Sequence, residues 1–313
     1  SESGDELTPV LRTANFNDDG SLDYSTPAMR CIPKLKVEKK TLRRGDVVLE
    51  KSGGTPNRPV GMVAYYESDG PALCSNFNQA LRFNDETADS RYMFYQLRWL
   101  RDRCAFAPYI RKTTGLQNLQ MKAFANLKIK CPPIQVQVAE SSTLRAISEQ
   151  IKLQKAQLSL FDSLVKSRFV EMFGGGEWPS KSIGELATDI RYGTSKKASE
   201  RGEHAYLRMN NMTDDGKIDF ADVKYIDLSE DELTKCQVVD GDLLFNRTNS
   251  REKVGKTAVF HGHTPMVIAG YIIRVRLGDE VRSDYLSTFM NLTSTKAMLR
   301  TIAKGAVHQA NIN

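Results

Sequence analysis

At 313 residues the chain is too long for one ordinary core and suits two domains of about 100–200 residues each. Its 44 Lys and Arg against 38 Asp and Glu leave a formal charge of +6, which excludes a histone-like basic protein and only mildly favours a polyanionic partner. With 40% hydrophobic residues it can pack cores, so disorder throughout is excluded too. No run of about 18 apolar residues occurs, so no membrane-spanning helix is expected. The opening Ser1-Glu2-Ser3-Gly4-Asp5 is polar and acidic, unlike a signal peptide. The cysteines are odd in number, scattered and free of any C-x-x-C pair, which fits ordinary thiols in a reduced, cytoplasmic setting.

In chain order, a short strand around Leu11 leads to Asp18-Asp19-Gly20, a turn sequence and a hairpin signal. Gly45-Asp46 turns into the apolar strand Val47-Val48-Leu49. A polar loop from Glu50 to Arg58 follows, then a strand from Gly61 to Tyr65 and, after a further strand, a helical stretch from Ser90 to Arg103. Pro132-Pro133 closes this region, because the residue before a proline avoids helix while proline itself tolerates a helix entrance. From Ile134 to Phe173 there is neither Gly nor Pro. Apolar residues recur at alternating spacings of three and four through Leu144, Ile147, Ile151, Leu158, Phe161 and Val165, interrupted by Gln154 and Arg168. That is a heptad seam on a helix of roughly 60 Å. Gly174-Gly175-Gly176 stops it.

Beyond the glycines the pattern repeats. Leu11-Arg12, Asn15, Asp18-Asp19-Gly20 and Gly45-Asp46 recur as Leu207-Arg208, Asn211, Asp214-Asp215-Gly216 and Gly241-Asp242, always 196 positions later. The offset slips by small steps at loops, to Val60-Gly61 against Val254-Gly255 and Asn118-Leu119 against Asn311-Ile312. A collinear series with small slips is the mark of two diverged copies of one domain. Each copy mixes strands with helix, so the fold class is α+β: two similar domains joined by a long, coiled-coil-forming helix. The boundaries are 1–133, 134–173 and 174–313. Measured against its own repeat, the chain is expected to be incomplete at both ends. The second copy lacks a segment like 120–173, and the first lacks an opening like 178–200.

Catalytic patterns are missing. There is no phosphate-binding G-x-x-x-x-G-K-[ST], no G-x-G-x-x-G, no G-x-S-x-G elbow and no [NDS]-P-P-[YF] of an amino-methylating enzyme; Cys131-Pro132-Pro133-Ile134 has the wrong residues at both ends. His261-Gly262-His263 lacks a third ligand at a recognised spacing and reads as a surface turn, so no metal site is expected. The Asp-Asp-Gly carboxylates read as turn formers.

The polar loops carry the chemistry instead. Lys51, Ser52, Thr55, Asn57 and Arg58 in the first copy stand where Arg247, Asn249, Arg251 and Lys253 stand in the second. A later set comprises Arg111, Lys112, Thr114 and Gln117 in the first copy, and Lys304, His308 and Gln309 in the second. A third comprises Tyr192, Thr194, Lys196 and Lys197. Arg forks read guanine, Asn and Gln read adenine, and Lys, Ser and Thr anchor phosphates, so these are the candidate DNA-binding residues. A solvated loop accounts for any single cluster. Basic loops at matching places in both copies point to a shared polyanion.

This order resembles the DNA-specificity (S) subunit of type I restriction–modification systems. The resemblance rests on the Gly45-to-Leu49 and Gly241-to-Phe245 strands, the 115–119 and 305–312 segments, the exit from Leu127 to Pro133, and the entry Trp178-Pro179 with Ile183-Gly184-Glu185-Leu186. It implies two target-recognition domains, each reading half of a bipartite, asymmetric DNA site, with helices holding them apart. It also implies a chain without chemistry of its own. Methyltransferase (M) subunits would bring S-adenosylmethionine for adenine-N6 methylation, and a restriction (R) subunit would bring ATP and magnesium. The helix Leu144, Ile147, Ile151, Leu158, Phe161 and Val165 seam would then dock partners or pair with a second copy. Two other readings remain open: a coiled-coil-dimerised DNA-binding regulator, and a repeat-based protein-interaction module.

Overall fold

The computed structural model describes residues 4–55, 58–113, 116–306 and 309–312. Two compact units emerge, one running to Leu153 and the other starting at Gln154.

The first unit begins with the antiparallel hairpin β1 (Asp5–Leu11) and β2 (Ala28–Pro33), followed directly by α1 (Lys34–Lys40). Next come β3 (Val47–Glu50), β4 (Ser52–Gly54), β5 (Val63–Tyr65), β6 (Leu73–Cys74), β7 (Asn78–Leu81) and α2 (Ser90–Asp102). A hairpin of β8 (Ile110–Thr113) and β9 (Leu116–Leu119) and the short α3 (Met121–Phe124) complete it before α4 (Ile134–Phe173). Three small sheets result, in the orders β2-β1-β6, β5-β3-β7 and β4-β9-β8. The central strand β3 is buried on both faces, which explains why Val47-Val48-Leu49 is an unbroken apolar run rather than an alternating one. Val48 packs with Leu11, Phe16 and Tyr66, while Val47 and Leu49 pack with Phe94 and Leu97 of α2. Asp89 starts α2 by accepting a hydrogen bond from the Tyr92 amide at 2.7 Å.

The second unit repeats this plan after α5 (Ile183–Leu186), whose Ser182 and Glu185 form a capping box. Its strands and helices are β10 (Ala187–Tyr192), β11 (His204–Leu207), β12 (Lys224–Ile226), α6 (Glu230–Cys236), β13 (Gln237–Val238), β14 (Leu243–Asn246) and β15 (Thr248–Asn249). They continue with β16 (Thr257–Val259), β17 (Met266–Ile268), β18 (Ile272–Leu277), α7 (Ser283–Met290), α8 (Thr293–Ile302), β19 (Lys304–Ala306) and β20 (Gln309–Asn311). The registers match residue for residue. Val47 faces Tyr65 and Leu81; its counterpart Leu243 faces Val259 and Val275. The parallel pairing of Leu11 with Cys74 recurs as Leu207 with Ile268. The core pattern recurs too, with Leu244 facing Leu207, Met212 and Phe260 and Leu243 facing Leu286 and Leu299. Two strands are additional: β10 pairs with β18 and β13 with β17, and each gives its sheet a fourth member.

The stretch from Ser283 to Arg300 holds the two helices α7 and α8, and between them the buried Asn291 amide turns inward to donate to Thr257 O at 2.8 Å and Ser287 O at 2.9 Å. One local expectation needs correction. Gln117, expected on an exposed reading loop, is buried. Its side chain accepts from the Val60 amide at 3.2 Å and donates to Thr55 O at 3.3 Å, tying two loop segments together.

The helix α4 covers all of 134–173. Near its start Gln137 is fully buried, donating to Pro132 O at 2.7 Å and Thr87 O at 3.1 Å and accepting from the Asp89 amide at 3.0 Å. Near its end Phe169 and Phe173 lie 5.0 and 5.1 Å from the Tyr285 ring. The six seam residues between are 41–64% exposed. Among the described residues no helix is long and apolar enough to cross a membrane.

Candidate nucleic-acid interface

Each unit builds a small three-stranded sheet from the loop that leaves its central strand. In the first, β4 pairs with β9 and β9 with β8; in the second, β15 pairs with β20 and β20 with β19. The hinge between central strand and small sheet is a buried polar residue, Glu50 or Asn246. Glu50 accepts from the Met62 amide at 3.2 Å, and burial pushes its carboxyl above the ordinary value despite that donor. Asn246 accepts from the Thr248 amide at 3.1 Å. Beyond the hinge, Ser52 bonds the Asn118 side chain, and Thr248 bonds that of Asn311. A hydroxyl facing an asparagine at the same repeat position in both units fixes the small sheet onto the loop.

A second shared device holds the turn that feeds the central strand. Asp46 receives Arg82 Nε at 2.7 Å and Nη2 at 2.6 Å; Asp242 receives Arg276 Nε and Nη2, both at 2.8 Å. Each Asp also accepts from the backbone three residues before it, at 2.8 Å from Arg43 N and 2.9 Å from Val239 N. Such bidentate pairs orient rigidly.

The predicted residues distribute over these parts as follows. Arg111, Lys112, Lys304 and Gln309 are exposed on the small sheets, and Thr55 and Arg58 on the loop before them. Ser52, Lys51 and Asn249 are partly buried, Lys51 Nζ reaching Gln79 Oε1 at 3.4 Å and Asn249 accepting from the Ser250 amide at 2.8 Å. Arg251 and Lys253 are exposed on the loop after β15. Arg247 lies over the exposed Tyr192 ring, its guanidinium carbon 5.1 Å from the centroid, so two of the separately predicted sets meet there. Lys197 is exposed; Lys196 is engaged with Glu232 at 2.7 Å, and Thr194 accepts from the Lys196 amide at 3.2 Å. The Lys196 ammonium, with the Ser229 amide and hydroxyl, holds the Glu232 carboxyl down to about 2. Asn57, Thr114 and His308 lie outside the described residues. Tyr271 packs against two of the second unit's hydrophobic clusters, the one around Leu244 and the one around Tyr206 and Val267.

Among the described residues no cluster of His, Cys, Asp and Glu is placed to hold a metal ion. His261 instead lies 3.4 Å from Asp240 and 3.1 Å from Asp284. What the geometry offers is a pair of rigidly anchored, basic, hydrogen-bonding surfaces.

Residues 8–160 match the model of the type I restriction modification DNA specificity domain. Over 336 aligned positions the chain is 24% identical to the type I restriction enzyme EcoKI specificity subunit of Escherichia coli K12, covering 99% of this chain and 70% of that one. The chain is thus similar to a type I restriction–modification specificity subunit along nearly its whole length. Among solved structures, the type I system S subunit from M. genitalium is 13% identical with a TM-score of 0.49, covering 96% of this chain and 73% of that one. The HsdS subunit from Thermoanaerobacter tengcongensis is 17% identical with a TM-score of 0.37, over 91% and 73%.

Sequence reasoning missed one basic surface of this chain. Arg12, Arg30, Lys36, Lys39 and Lys40 line a groove beside α1 together with Lys51. The signal was the run Lys34-Leu35-Lys36-Val37-Glu38-Lys39-Lys40, overlooked because the second copy does not repeat it.

Proposed function

We propose that each unit reads one half of a bipartite DNA site and that α4 serves as the spacer between the two readings. The observation that carries this is the duplicated unit, in which the same strands, in the same register, carry a small basic sheet at the same place twice. One reading device per half-site is what a split target requires. The similarity to DNA specificity domains and to a specificity subunit supports DNA as the partner.

The chain then acts by binding and positioning. Methyltransferase subunits would supply S-adenosylmethionine and the methyl transfer, and a restriction subunit would supply ATP and magnesium chemistry. The exposed seam from Leu144 to Val165 is the docking surface for those subunits or for a second copy of the chain, since apolar side chains of this size gain about 1.5–3 kcal/mol each on full burial. Such a complex works where the chromosome lies, in the cytoplasm.

Selection of the full chain, with a methyltransferase subunit where one is required, against a pool of random duplexes tests the reading. Enrichment of two short words at a fixed spacing is expected. A single uninterrupted word, or no enrichment, would overturn it.

A further inference from the structure

The two units share a backbone plan but not a charge plan. In the first unit α1 lies against the β1–β2 hairpin, burying Val37 and leaving its lysines exposed. Beside it runs a groove of about 820 Å³ lined by Arg12, Arg30, Lys36, Lys39, Lys40 and Lys51. A seventh cation, Arg82, is tied to Asp46. Among the described residues no carboxylate lines the groove. Ser75, Asn76 and Gln79 add neutral hydrogen-bonding groups.

The 196-residue offset gives the matching positions of the second unit. Lys36 becomes Glu232, Arg30 becomes Ile226 and Lys40 becomes Cys236. The helix α6, in the place of α1, opens with Glu230, Asp231 and Glu232. Arg208, at the position of Arg12, is paired with Asp222 at 2.8 Å; Lys235 and Arg247 stand at the positions of Lys39 and Lys51, and Lys196, which has no counterpart in the first unit, pairs with Glu232 at 2.7 Å. One fold therefore presents a groove lined by cations, with no carboxylate among the described residues, in one copy and a surface of mixed charge in the other.

We propose that the groove beside α1 is a binding site for the DNA phosphate backbone, present in the first unit and missing from the second. The inference rests on the DNA-reading function proposed above and deepens it. Lys51 belongs both to the groove and to the loop that leads into β4, so a strand seated in the groove runs on toward the candidate reading surface. Lysines act on phosphates as mobile point charges and carry no sequence information. The first unit's half-site is thus the electrostatic anchor, and the second unit relies more on direct contacts.

The test is the salt dependence of binding, measured by fluorescence anisotropy on the full chain. The probes are the split-site duplex from the selection and a scrambled duplex of equal composition. Each neutralised phosphate contributes about −0.9 to the slope of log K against log salt. The triple variant Lys36→Gln, Lys39→Gln, Lys40→Gln should flatten the slope by about 2–3 on both duplexes, leaving their affinity ratio unchanged. Replacing the same three lysines by Arg should keep the parent slope, which separates charge from any effect on folding. Lys235→Gln, at the α6 position matching Lys39, should leave the slope as it was. A triple Gln variant that keeps the steep parent slope would overturn the phosphate site while leaving DNA reading intact. A parent chain with no salt-dependent duplex binding would overturn the underlying reading, and the inference with it.

Discussion

Asp242→Ala removes the centre of the device that holds the turn into β14. Asp242 is 2% exposed and receives two guanidinium bonds from Arg276 and one from the Val239 amide. Removing one partner of a buried ion pair costs about 3–5 kcal/mol, because the other is left uncompensated. Arg276 is 41% exposed and can regain water, so about 2–3 kcal/mol is the expected loss. At about 1.4 kcal/mol per factor of ten, the opening equilibrium of the second unit rises roughly 30- to 150-fold. Hydrogen exchange resolved by peptide reads this in the full chain. Amides of β14 and β18 should exchange faster by that factor, while β3 and β7, held by the separate Asp46–Arg82 pair, should keep their rates. Exchange within about threefold of the parent, the range of an ordinary surface substitution, would refute the argument. Equal acceleration in both units would refute the independence of the two devices.

Three further outcomes are expected. Gly255→Ala places a Cβ 3.0 Å from Leu299 Cδ1 at φ +83°, and Gly61→Ala places one 2.7 Å from Phe106 Cδ2 at φ +112°; each should lose about 1 kcal/mol or more in thermal unfolding, and an unchanged midpoint would discount both contacts. Glu232 is depressed from 4.5 to about 2, so its stabilisation is complete above the ordinary value and is lost as pH falls through about 2; an NMR titration of its carboxyl should show the low midpoint, Lys196→Ala should raise it, and a midpoint of 4.5 in the parent would refute the pairing. Arg247→Ala and Arg251→Ala should each weaken split-site binding by about 1–3 kcal/mol if the side chain reads a base; equal loss on the scrambled duplex would mark a phosphate contact instead.

Much of this fold was legible before any coordinates. The repeat of Leu11-Arg12, Asn15 and Gly45-Asp46 predicted matching domains, and the reason it did so is visible in the bonds. Asn15 accepts from the Arg12 amide and Asn211 from the Arg208 amide, both at 2.9 Å, so those residues build the same turn in both copies. The helix from Ile134 to Phe173 followed from the lack of Gly and Pro between two firm stops. The surface sites were less legible. Gln117 looks like a reading residue but braces a loop, and Lys196 looks available but is held by a glutamate from α6. The cationic groove draws Arg12, Arg30 and Lys51 from distant segments.

Sequence alone determined the duplication, the helix between the copies and the strands of the two cores, since periodicity, glycine turns and local hydrogen bonds are written in short stretches. Only the tertiary structure decided which cations are paired and which line one groove together. Charge pairing depends on separations of a few ångströms between residues far apart in the chain, and no local pattern records them.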